Sequence, residues 1–127
     1  MRRKTMKRKS KQVGGSHYES LKIEPVELFV KCNTNWFQGE VIKYCSRFQN
    51  KNGKQDLLKA IQVCELANNL GLSIRFPIGL DFKFLERYTS QFEYKEILDD
   101  IINSLLVDNN YLLARAKVVE LKNMYYE

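Results

Sequence analysis

The sequence predicts a mainly α-helical domain of about five helices. Two patterns carry that expectation. Apolar residues recur at i, i+3, i+4 and i+7 over most of the chain after residue 24, the signature of helices with one buried face. Glycine and asparagine punctuate those runs where helices would stop, at Asn52-Gly53, Gly71 and Asp108-Asn109-Asn110. The one alternating stretch, Ile74, Phe76 and Ile78, reads as a short extended or β segment near 72–80, and Pro77 confines it to an edge. At 127 residues the chain holds one modest core.

Residues 1–12 come first as a polar, basic arm with nothing to bury. Gly14-Gly15-Ser16-His17-Tyr18 is a turn-forming loop. Pro25 opens a helix over 25–32, because the N–H it lacks would be unpaired in a first turn. Val41, Tyr44, Cys45 and Phe48 predict a second helix over 37–51, stopped by Gly53 in a left-handed cap. Leu57, Ala60, Ile61, Cys64 and Ala67 predict a third over 54–69, antiparallel to the second, with Asp56 in the first turn where the helix dipole favours an anion. Ser90 and Glu93 form a candidate capping box for a fourth, whose apolar face runs from Tyr94 to Leu106. Tyr111, Ala114, Val118, Leu121 and Tyr125 line a last helix over 110–126. The segment 72–127 is thus an extended crossing and a helical hairpin. That hairpin either packs on the same domain or pairs with another copy, and a homo-oligomer is expected.

Charge is unevenly placed. The net +6 comes from 21 Lys and Arg against 15 Asp and Glu. Seven of the bases lie within residues 2–11, which leaves 14 bases against 15 acids elsewhere. A near-neutral body weakens the inference to a nucleic-acid-binding fold, although the arm keeps nucleic acid as a candidate partner through residues 2–11. No apolar run reaches the roughly 18–20 residues of a membrane span, so no membrane partner is expected. The basic start is followed by no apolar stretch of the kind a secretory signal carries. Cys32, Cys45 and Cys64 are an odd set with no CxxC spacing and His17 is the single histidine, which fits reduced thiols in a cytoplasm and argues against zinc.

Three constellations carry candidate chemistry. Lys43, Arg47 and Lys51 are spaced i, i+4, i+8, which on a continuous helix puts three cations on one side with Glu40, beside Tyr44 and Phe48. Such a stripe grips phosphates, or is a solvated charged face. In the loop, Gly14 and Gly15 let backbone N–H groups approach an anion, Ser16 adds a hydroxyl donor, and His17 donates to a phosphate or serves as a general acid or base; the plain alternative is an ordinary turn with His17 packed on Tyr18. No GxxxxGK[ST] stretch is present, which excludes the P-loop kinase mechanism. Finally, Asp56 either caps its helix, fixes Lys59 or Arg47, or holds a magnesium ion arriving with a nucleotide.

Val13-Gly14-Gly15-Ser16-His17-Tyr18, Ile23, Pro25, Gly39-Glu40-Val41-Ile42-Lys43-Tyr44, Arg47, Lys51-Asn52-Gly53, Asp56-Leu57 and Lys59-Ala60 stand in an order and spacing that resemble a small domain family of unknown function from tailed phages. The likeness runs over residues 13–70. The family is related to a podovirus nucleotide kinase that lacks a Walker motif. It implies a bacteriophage protein in the cytoplasm of an infected bacterium, with a nucleotide ligand. On that implication Gly14, Gly15, Ser16, Lys43, Arg47, Lys51 and Lys59 are ligand-binding candidates. Tyr18 or Tyr44 stacks on a base. His17 and Asp56 are the catalytic candidates if phosphate is transferred. The expected function is therefore nucleotide-phosphate recognition. It takes the form of a kinase-like enzyme, a non-catalytic sponge for a host cyclic-nucleotide immune signal, or an accessory protein that binds nucleic acid through its arm.

Overall fold

The computed structural model describes residues 22–72 and 80–126. Among them the fold is mainly α, with six α-helices, one 3-10 turn and no strand. The basic arm, the Gly14–Tyr18 loop and the alternating stretch around Ile74, Phe76 and Ile78 lie outside the described residues. None of the described helices is long and apolar enough to cross a membrane.

Helix α1, Pro25–Cys32, begins at its proline, and Glu27 reaches back to accept from the Glu24 N–H at 2.9 Å. It ends at Asn33, in the left-handed conformation (φ 53°). Helix α2, Trp36–Arg47, starts in a reciprocal box. The Gln38 N–H donates to Asn35 Oδ1 at 2.8 Å, and the Asn35 N–H donates to Gln38 Oε1 at 2.9 Å. Both caps are also tertiary ties. Gln38 Nε2 donates to the Leu105 carbonyl at 3.0 Å, and Asn35 Nδ2 to the Tyr111 hydroxyl at 3.2 Å, so the start of α2 is pinned to the distant C-terminal helices.

The second helix is shorter than its periodicity predicts. It stops at Arg47 and continues as a 3-10 turn over Phe48–Asn50. The cause is Phe48, fully buried against Tyr94, Tyr125 and Tyr126. Its carbonyl accepts from both Lys51 N (3.4 Å) and Gly53 N (2.8 Å), which closes the turn. Gly53 then adopts φ 56°, ψ −129°, a conformation that L side chains avoid, and opens α3, Lys54–Asn69. Helix α3 has the span its pattern predicts, and Gly71 (φ 59°) follows its end.

The region from 80 to 94 differs most from expectation. An extra helix, α4 (Phe82–Thr89), is capped by Asp81, which accepts from the Phe84 N–H at 3.1 Å, and buries Phe84, Leu85 and Tyr88. Ser90 closes α4 instead of starting the next helix, its hydroxyl donating to the Glu86 carbonyl at 2.6 Å. Helix α5 runs Lys95–Leu106, from a Tyr94 cap. Long-range bonds hold residues 91–94 out of helix. Gln91 exchanges two hydrogen bonds with the Ile23 backbone, and the Tyr94 hydroxyl donates to the Cys45 carbonyl at 2.8 Å. A capping-box spacing cannot compete with those contacts.

Helix α6, Tyr111–Tyr125, is capped by Asn110 and packs on both α3 and α5. Its Ala114, Val118 and Leu121 are fully buried beside Leu57, Ala60, Cys64 and Ala67 of α3. The apolar face of α5 (Leu98, Ile101, Ile102, Leu105 and Leu106) is buried within the same chain. Each such side chain contributes about 1.5–3 kcal/mol of apolar burial.

Candidate functional site

Asp56 stands at the third position of α3, behind the turn that separates α2 from α3, and it is fully buried. A buried carboxylate is tolerated only when its lone pairs are filled by donors. Here Arg47 Nε donates to Oδ2 at 3.3 Å and Arg47 Nη2 to Oδ1 at 3.4 Å. Asn52 adds its backbone N–H at 3.3 Å and its side-chain Nδ2 at 3.4 Å. One carboxylate therefore ties the end of α2, the turn and the start of α3 together. Of the partners the sequence allowed for Asp56, the one it holds is Arg47, whose side chain keeps only 15% of its exposure.

Arg47 is aimed in turn at Tyr44, one helical turn earlier on α2. Its Cζ lies 5.0 Å from the centre of the Tyr44 ring. Lys43 Nζ lies 4.8 Å from the same centre, and Lys59 Nζ, from α3, 5.8 Å. Lys43 is steadied by Glu40 at 2.9 Å. Three cations from two helices thus gather around one half-buried ring, and two of the three have a carboxylate partner. Among the described residues, Glu40 and Asp56 answer two of the three charges.

Lys51 is not part of this grouping. The i+8 position of the stripe requires a helix through residue 51, and the helix ends at Arg47. Lys51 instead follows the 3-10 turn with φ −137° and ψ −97°, exposed. Lys59 stands by the ring as the third cation, an arrangement that depends on how α2 and α3 pack and that helical spacing along α2 cannot reveal. Gly14, Gly15, Ser16, His17 and Tyr18 lie outside the described residues.

The turn has a second support with no local sequence signal. Tyr126, from the far end of the chain, brings its hydroxyl to 3.3 Å from where a side-chain carbon on Gly53 would sit. Its ring and that of Tyr125 pack on Phe48. Beneath the cluster Cys45 is fully buried. Burial first, then the neighbouring Cys64 and Asp56, push its thiol well above its usual range, so it is no nucleophile at neutral pH. Among the described residues, no group of three or more His, Cys, Asp or Glu side chains is placed to hold a metal ion.

The arrangement brings together an arginine held in place by a buried acid, two lysines and the aromatic ring they share. No curated protein and no solved structure matches the chain. Residues 11–64, a stretch that takes in the whole of this cluster, match a family described as "Protein of unknown function (DUF3310)".

Proposed function

We propose that this chain is a phage nucleotide-binding protein that holds the phosphate of a (deoxy)nucleotide on Lys43, Arg47 and Lys59. One observation carries the reading. Three cations from two helices converge on the Tyr44 ring, and the arginine among them is fixed by a fully buried carboxylate. Glu40 and Asp56 answer two of these three charges, and a phosphate, which supplies several charged acceptors at once, would answer the third. The Gly14–Tyr18 loop completes the site on this reading, with its N–H groups, Ser16 and His17 meeting the phosphate or sugar.

Sequestration suits the cluster better than turnover. A kinase-like reaction needs a base and a magnesium ion arriving with the nucleotide, with Asp56 or His17 assisting. Asp56 already accepts from Arg47 and Asn52 at both oxygens, which makes it an organiser of the turn. A protein that withdraws a nucleotide signal from a bacterial defence needs tight phosphate contacts and no base. Two measurements separate the alternatives. Protein incubated with ATP, magnesium and the four deoxynucleoside monophosphates is expected to form no diphosphates, and turnover would make it an enzyme. Protein purified from infected cells is expected to release an intact nucleotide on heating. Arg47→Ala is expected to weaken nucleotide binding at least tenfold, and unchanged affinity would remove the site from this cluster.

A further inference from the structure

We infer that Tyr44 is a positioning residue for the phosphate-binding cations and not a platform for the base; the inference rests on the nucleotide reading above. A base that stacked on the ring where these cations lie would have to take their place. The Tyr44 ring has Lys43 Nζ, Arg47 Cζ and Lys59 Nζ over it at 4.8, 5.0 and 5.8 Å. Cations over an aromatic ring are attracted to its negative face, an attraction that grows where water is partly excluded. The half-buried ring therefore lowers the repulsion among three neighbouring cations and sets where they point.

Two of those cations cannot leave the ring without loss elsewhere. Lys43 would have to move relative to Glu40, 2.9 Å away. Arg47 would have to break its contacts to the buried Asp56, which would then keep a charge with fewer donors. A base entering between ring and cations would displace them from the positions in which they meet phosphate. The cluster is consequently blind to the base: its ligand is any small phosphate ester with room on the solvent side. Whatever base preference the whole protein has must come from residues other than Tyr44.

The test compares affinities of wild type, Tyr44→Phe and Tyr44→Leu for dAMP, dGMP, dCMP, dTMP and ribose 5-phosphate. Thermal melts confirm that each variant is folded. Tyr44→Phe keeps the ring and is expected to bind all five ligands within about twofold of wild type. Tyr44→Leu removes the ring and is expected to weaken all five by a common factor of about five. If Tyr44→Leu weakens purine nucleotides at least fivefold more than ribose 5-phosphate, Tyr44 stacks on the base and the inference is overturned while the nucleotide site stands. If Tyr44→Leu binds all five ligands as wild type does, the ring does not position the cations and the inference is equally lost. Should wild type bind none of the five, the nucleotide reading itself falls and takes this inference with it.

Discussion

At the residue scale the site depends on a single carboxylate. Asp56 accepts four hydrogen bonds from Arg47 and Asn52 while fully buried. Asp56→Ala should destabilise the fold by about 3 kcal/mol, because it leaves the Arg47 guanidinium and the Asn52 N–H without their shared acceptor. Urea unfolding followed by circular dichroism measures this, and a loss below about 1 kcal/mol would show that the turn holds itself. Gly53 is the other sensitive position. Alanine there combines a backbone conformation barred to L side chains (φ 56°, ψ −129°) with a contact to the Tyr126 hydroxyl, and should cost about 1–3 kcal/mol. Gly71 also has a positive φ (59°), but nothing lies within 4 Å of a side-chain carbon built there, so Gly71→Ala should cost less. Equal losses at the two glycines would refute the role given to Tyr126.

At the element scale the α2–α3 hairpin is closed by the end of α6. Phe48 interrupts α2 because Tyr94, Tyr125 and Tyr126 receive its ring. Removing residues 125–127 should lower the melting temperature by about 5–10 °C, since it withdraws two aromatic partners from Phe48 and frees the turn over Gly53. A truncated protein that melts with wild type would mean that Phe48 is held by Tyr94 alone. The same dependence explains why residue spacing misled at two places. The stripe Lys43, Arg47, Lys51 assumes a helix that the burial of Phe48 ends early. The Ser90–Glu93 box assumes a helix start where Gln91 and Tyr94 are claimed by Ile23 and Cys45. Local patterns report what a segment would do alone, and both segments are overruled by partners more than 40 residues away.

At the scale of the whole molecule, the three cysteines report how closed the core is. All are free and buried. Burial raises each thiol above its usual range, Cys64 to about 12. A folded-state value above the unfolded one favours the neutral thiol in the fold, so the associated stability is intact below about pH 9 and is lost as pH rises toward 12. The urea midpoint should therefore be level from pH 7 to 8.5 and lower at pH 10.5. A midpoint that rises over that interval would contradict the assignment. For the same reason a thiol reagent at pH 8 should label the native protein slowly and all three cysteines promptly in denaturant; rapid labelling of the native protein would show that the core opens.

Much of the architecture was legible in the chain. Helices α1 and α3 have the predicted spans, because their signals are local: proline at the start of one, glycine at both ends of the other, and an apolar face repeated over whole turns. The pairing of Asp56 with Arg47 was among the sequence's own alternatives, since a first-turn acid and a last-turn base lie on either side of one short turn. What the sequence left open is what packing decides. Helix α4 lies just after the stretch read as extended, in residues to which no helix was assigned, and it forms because Phe84, Leu85 and Tyr88 find the core. The convergence of Lys59 with Lys43 and Arg47 on Tyr44 joins two helices, and no periodicity along either one encodes it. The sequence by itself determined a helical chain with cations and acids near one turn. Only the tertiary structure chose which cations meet and which ring gathers them, because those contacts are set by how α2 lies on α3 and by the aromatic residues that the chain's last turn brings back to Phe48.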